Sequence, residues 1–293
     1  MWRVFKNMKT KNFFPLILTL PVVIFLLALL IYPLLYTFTI AFYDQSSENF
    51  FPFSLKVFNT LMADERFWGN VLHTASLTFF STLISFFLGI LIAYCLDQIN
   101  FGKPFFLIIL ISPLAIMPVV SALTWRTMFN PLYGILNSIL KYFGFEGVEW
   151  VTDTSSALFW ITVVDIWQWT PFCFLLIYSG LKTIPIDIKE SASLDGINSF
   201  KELIYISLPI LFNLLLITLI FRFMEAFKTF DSIMVITQGG PGNSTETMIV
   251  RSYYTGFRWY KPEITSMIGI FILIFTILCT RWAGTKIGEQ EKI

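Results

Sequence analysis

Residues 13–42 read FFPLILTLPVVIFLLALLIYPLLYTFTIAF, from Phe13 to Phe42, without one ionisable acid or base. A helix crossing the hydrocarbon core of a bilayer needs about 20 mostly apolar residues. This stretch exceeds that length, and it exceeds the roughly 7–15 residues of a secretory signal core. No small-x-small cleavage pattern follows it. It is therefore expected to remain as a membrane span. The rest of the chain agrees: 56% of residues are hydrophobic and only 13% charged, against about 25% charged in a typical soluble domain. Water would be a poor solvent for such a chain, and lipid is a suitable one.

Outward from this first run, five further apolar segments have spanning length. The expected spans are about 13–43, 70–96, 105–128, 156–181, 205–236 and 263–283. The predicted fold class is an all-α membrane protein of six transmembrane helices, and the chain is read as one transmembrane domain over 1–293. Orientation follows from Lys and Arg in short loops. With the N-terminus inside, inner segments hold Arg3, Lys6, Lys9, Lys11, Lys103, Lys182, Lys189, Lys201, Arg281, Lys286 and Lys292. Outer loops hold the smaller set Lys56, Arg66, Lys141, Arg251, Arg258 and Lys261. Both termini are thus expected in the cytoplasm. Trp68, Trp150, Trp259 and Tyr260 lie near the outer span ends, where interfacial aromatics belong.

Composition excludes several functions. The net charge of +1 offers no field for nucleic acid. Cys95, Cys173 and Cys279 sit in apolar runs without C-x-x-C spacing, and His73 has no Cys or second His for a metal site. No G-x-x-x-x-G-K-[ST] loop is present to cradle nucleotide phosphates, and no nucleophile–base or paired-carboxylate constellation appears. The chain reads as a non-enzyme without a cofactor of its own.

The segment LKTIPIDIKESASLDGINSFKELIYISLPIL, Leu181 to Leu211, interrupts the apolar pattern. Pro185 and Asp187 suit a helix start, Ile188 to Leu194 makes a short amphipathic helix, and Gly196 permits a turn where a side chain would clash. Phe200, Leu203 and Ile206 then recur at helical spacing. The expectation is a compact helix–turn–helix over 182–204, with Glu190, Asp195 and Glu202 exposed, serving either as a docking knob or as a solvated linker.

Two spans carry charge. Arg222, Glu225, Lys228 and Asp231 follow one another every third residue in the fifth, a stripe on one helix face. Arg222 falls near the bilayer midplane, where a charge costs roughly 2.5–3.5 kcal/mol on insertion scales and must face protein or water. The signs permit pairing of Arg222 with Glu225 and of Glu225 with Lys228. The fourth span contains Asp165-Ile166-Trp167-Gln168-Trp169; Asp165 is available to Arg222 or Lys228 across the bundle. Either these groups satisfy one another, or Asp165, Trp167, Trp169, Arg222, Glu225 and Lys228 line a solute path, with the indoles offering faces to sugar rings.

The loop motif resembles a known signature. Membrane subunits of ATP-driven, binding-protein-dependent importers carry an E-A-A…G…I-x-L-P loop, and Glu190-Ser191-Ala192, Leu194-Asp195-Gly196 and Ile206-Ser207-Leu208-Pro209 match it in spacing. Ser191 departs from the usual alanine but is as small. WRTMFNPLYGILN (Trp125–Asn137) and FDSIMVITQGGPGNSTET (Phe230–Thr247) look like segments of the carbohydrate-type permeases, the first of their two permease subunits. The resemblance covers about residues 70 to 280. It implies that Glu190, Ser191, Ala192, Leu194, Asp195 and Gly196 form a coupling helix seated on an ATPase subunit. It also implies a second homologous permease, two cytoplasmic ATPase subunits that bind ATP and Mg, and an external solute-binding protein. The implied activity is alternating-access import of a sugar-like solute across a bacterial plasma membrane. The rival is a gradient-driven secondary transporter using Asp165 or Glu225 as its ion site; its usual paired repeats are not evident in the sequence.

Overall fold

The computed structural model describes residues 13–43, 53–99 and 101–290. The basic cluster Arg3, Lys6, Lys9 and Lys11, and Lys292 at the other end, lie outside the described residues. Apart from one antiparallel bridge between Tyr43 and Phe53, the described elements are helical. We label them α1 (Phe13–Ala41), α2 (Lys56–Met62), α3 (Glu65–Gln98), α4 (Lys103–Ala115), α5 (Pro118–Met128), α6 (Ile135–Tyr142) and α7 (Ala157–Thr183). There follow α8 (Ile186–Leu194), α9 (Ser199–Ile210), α10 (Phe212–Phe227), α11 (Asp231–Ile236), α12 (Met248–Tyr253) and α13 (Pro262–Gln290).

Four unbroken helices have spanning length and apolarity: Leu18–Ala41 of α1, all of α3, all of α7, and Pro262–Arg281 of α13. Two further pairs satisfy the same test only together, α4 with α5 and α9 with α10–α11. Counting each pair as one crossing gives six.

The third and fifth expected spans are therefore bent, not straight. α4 and α5 meet at 94°. Pro113 lies inside α4, and Pro118 sits in the first turn of α5. Proline removes an amide donor and disfavours helical backbone in the residue before it, so the helix stops at Ile116 and restarts. Exposed backbone carbonyls are not tolerated at membrane depth. Here the Gln168 side chain answers them: its Nε2 donates to Pro113 O at 2.6 Å and to Ile116 O at 2.9 Å. The fifth span bends by 80° between Ile210 and Phe212. A widened turn over Leu203–Ser207 precedes Pro209, accommodating a ring that would clash with a regular preceding turn. The helix is interrupted again at Lys228–Phe230.

α3 is the axis of the bundle. It has no proline over 34 residues, and Asp64 caps its start by accepting from Arg66 N at 2.9 Å. Its buried face runs Phe67, Asn70, Thr74, Leu77, Ser81, Ser85, Gly89, Ala93 and Leu96, each three or four residues from the last. Small side chains let helices approach closely where lipid supplies no hydrophobic drive. At Gly89 a Cβ would stand 2.7 Å from Cys173 Cβ and 2.9 Å from Phe174 N, so only glycine permits this α3–α7 contact. α10 packs on both α3 and α7, completing a three-helix core.

At the end of α3 that carries its N-terminus, the 238–247 loop folds back onto the helix. Glu246 is 1% exposed and is held by Arg66 Nε at 2.9 Å and Nη2 at 2.6 Å. Asn70 Nδ2 donates to Glu246 O at 2.8 Å, and Met248 N donates to Thr74 Oγ1 at 2.9 Å. Arg251, expected as a loop charge, is buried against Asp64 and Asn70. The loop turns through the left-handed residues Gln238, Gly239, Gly242 and Asn243.

Candidate functional site

Two places carry the charged residues singled out in the sequence. The first lies midway along α3, among α3, α7 and α10. Arg222 is fully buried and Asp165 is 1% exposed. Arg222 Nη2 pairs with Asp165 Oδ2, and the Ser81 hydroxyl bridges the two, accepting from Arg222 and donating to Asp165. Arg222 Nε donates to Ser85 Oγ at 3.2 Å, and Thr229 Oγ1 donates to Asp165 Oδ1 at 3.1 Å. The Trp169 ring lies over the guanidinium, 5.8 Å from Cζ to centroid, an arrangement favourable to the cation. Arg222 Nη1 has no hydrogen-bond partner. A buried ion pair of this kind contributes modestly as a unit, but removing one partner costs about 3–5 kcal/mol.

The carboxylate that Arg222 meets is thus Asp165, across the bundle, and not Glu225 along the helix. Glu225 and Lys228 do form the expected pair, at 2.8 Å, and both are substantially exposed; such pairs are worth about 0–1 kcal/mol. Asp231 occupies the first turn of α11, where its charge suits the helix dipole. Of the six residues singled out in the two charged spans, the fold brings Asp165, Trp169 and Arg222 together. Glu225 lies in the last turn of α10 and Lys228 at the interruption after it. Trp167 turns away, 37% exposed, with its ring edge against Trp125 at 5.5 Å. Gln168 belongs to the α4–α5 bend. Ser81, Ser85 and Thr229 were missed in the sequence. Their signal was present for the first two, which belong to a row of Thr and Ser at helical spacing within an otherwise apolar run.

The second place is the 182–204 loop. α8 begins directly after Pro185 and ends where Gly196, at φ 76°, reverses the chain. Ile197 N donates to Ala192 O at 3.0 Å, closing the helix as a left-handed cap does. Asn198 starts the next helix by accepting from Lys201 N at 2.9 Å. Ala192 faces inward at 4% exposure, while Leu194 is 90% and Ile186 67% exposed. Glu190, Ser191, Asp195 and Gly196 share the exposed surface with Leu194. Glu202, expected in solvent, is half-buried instead, because the Ser207 hydroxyl inside the widened turn donates to it. α8 is tied to the bundle through Lys189, whose Nζ reaches Asp97 Oδ2 at 2.9 Å. Among the described residues, no group of His, Cys, Asp and Glu could hold a metal ion.

No family model matches the chain. Individual proteins do. It is 33% identical over 267 residues to the trehalose/maltose transport system permease protein MalF of Thermococcus litoralis, covering 89% of this chain and 90% of that protein. It is 31% identical over 240 residues to the sn-glycerol-3-phosphate transport system permease protein UgpA of Agrobacterium fabrum, covering 80% and 79%. In fold it superposes on a chain from the crystal structure of a bacterial ABC transporter that imports the acidic polysaccharide alginate. That match has TM-score 0.85 and 22% identity and covers 98% and 99% of the two chains. The overall arrangement of the described helices is therefore a known architecture. The chain belongs to the multi-pass membrane permease subunits of binding-protein-dependent ABC importers, which do not themselves hydrolyse ATP.

Proposed function

We propose that this permease forms one half of the translocation pathway for a sugar or sugar-like solute, with α8 as its contact to the ATPase. The observation that carries the coupling role is the surface of α8. A nine-residue helix leaves Leu194 and Ile186 in the open beside the exposed Glu190 and Asp195, at the end of the bundle where α3 terminates. Apolar side chains of this size next to acidic ones fit a cleft on a protein partner. Glu190, Ser191, Ala192, Leu194, Asp195 and Gly196 are the coupling residues in this reading. The α8 end is cytoplasmic, both termini lie on that side, and the end with Glu246 faces the solute-binding protein. A second, homologous permease completes the pathway, lipid surrounds the pair, and two ATPase subunits supply ATP and Mg. The whole chain serves as one transmembrane domain.

Carbohydrate is the solute class supported by the trehalose/maltose relative. The glycerol-phosphate relative keeps an anionic, polyhydroxylated solute within that class. Asp165, Trp167, Trp169, Arg222, Glu225 and Lys228 are assigned to the path in its open state, where the unpartnered Arg222 Nη1 supplies a donor for a hydroxyl or an anion. In the structure Asp165 is engaged by Arg222, Ser81 and Thr229 and Glu225 by Lys228, which supports the ATP-driven reading over a gradient-driven one with either carboxylate as its ion site.

The test is uptake of labelled solute into proteoliposomes. The chain with its partner permease, ATPase subunits and binding protein should transport only with ATP; uptake by the chain alone, driven by a proton or sodium gradient, would overturn the reading. A thermal-shift screen of the binding protein against neutral and anionic sugars identifies the solute.

A further inference from the structure

Asp97 lies in the last turn of α3, and three other elements converge on it. Lys189 of α8 donates to its Oδ2 at 2.9 Å, and Lys182 at the end of α7 pairs with its Oδ1. Lys103, the first residue of α4, reaches back to its backbone carbonyl at 3.2 Å. The carboxylate is 13% exposed. Its position is unfavourable to α3 alone, since a negative charge at a helix C-terminus opposes the dipole. The charge is explained by what it holds. α7 and α4 are already packed on the bundle, α7 against α3 along its length. α8 is not: its apolar residues Ile186 and Leu194 face outward, and only Ala192 turns in. The Lys189–Asp97 bond is therefore the direct polar link between α8 and the bundle among the described residues.

From Asp97, α3 runs without proline to Ser85 and Ser81, a distance of about 18 Å to Ser85 at the usual helical rise. These two hydroxyls hold Arg222 and Asp165. We infer that Asp97 is a positioning residue that fastens the coupling helix to α3, so that a push on α8 is delivered along α3 to the buried Asp165–Arg222 pair. The inference rests on the assignment of Glu190–Gly196 as the ATPase contact.

The experiment uses the full complex in proteoliposomes and reads the ratio of solute imported to ATP hydrolysed. Asp97→Asn keeps the size but loses the charge; the ratio should fall at least about fivefold, the lower end of ordinary coupling energies. Exchanging the charges, Asp97→Lys with Lys189→Asp, in a Lys182→Gln background so that no like charge faces residue 97, restores the link and should return most of the ratio. A general packing defect would not be repaired by exchange. An unchanged ratio in Asp97→Asn overturns the inference, as does an exchange variant that assembles but stays uncoupled. Should Asp97→Asn fail to assemble, the exchange variant decides alone: assembly with near wild-type ratio supports the link, and anything less overturns it. Glu190→Lys is measured in parallel. If it too leaves the ratio intact, the coupling assignment itself has failed; if it uncouples while Asp97→Asn does not, only the Asp97 link has.

Discussion

The Asp165–Arg222 pair and the Asp97–Lys189 pair use the same chemistry at two points of α3 or against it, yet they are built for opposite ends. Midway along α3 the arginine is fully buried and its carboxylate partner 2% exposed. At the α8 end Lys189 is 27% and Asp97 13% exposed. A dry pair cannot be separated without leaving an uncompensated charge, so it sets the arrangement of three helices. A wetter pair contributes little to the stability of the fold, so what it decides is where α8 is held against α3. The difference lies in solvent, not in the residues.

Breaking the buried Asp165–Arg222 pair should have the largest effect. Arg222→Leu strands Asp165 in the core and should cost about 3–5 kcal/mol, read as loss of folded chain in detergent melting. Arg222→Leu with Asp165→Leu should recover most of that stability. If it also recovers transport, the pair is purely structural and the pathway assignment of both residues fails. Next is the bend. Gln168→Leu leaves the Pro113 and Ile116 carbonyls without their donor, at about 1–3 kcal/mol for a buried unsatisfied group, again by melting. Of comparable size or slightly less, Gly89→Ala forces α3 from Cys173; overpacking of this kind costs about 1–3 kcal/mol, and adding Cys173→Gly should relieve only part of it because the Phe174 amide remains close. The smallest stability effect belongs to Lys189→Gln, under about 1 kcal/mol as for other partly exposed pairs. A large melting shift there would show that the wet pair is structural after all and erase the contrast.

The apolar runs made the membrane class legible, because any run of that length without charge needs lipid or a deep core whatever its neighbours are. The loop was legible too: Pro185, Asp187 and Gly196 act through local backbone chemistry, and the helix–turn–helix follows from them. The partners of charged side chains were not. Arg222 has Glu225 three residues away and Asp165 far along the chain; helical spacing favours the first, and packing of α10 on α7 selects the second. Nor was the role of Gln168, whose carboxamide answers carbonyls exposed by a bend in a neighbouring helix.

By itself, then, the sequence determined the solvent of this protein, the number and rough extent of its apolar segments, and the short helix displayed between the fourth and fifth of them. These depend on composition and on interactions spanning a few residues. Tertiary structure decided where the spans break, which carbonyls Gln168 must satisfy, that Arg222 is spent on Asp165, and that Asp97 gathers Lys103, Lys182 and Lys189. Each of those is a contact between distant segments, and its strength is set by how completely the surrounding helices exclude water, a quantity that exists only once they are packed.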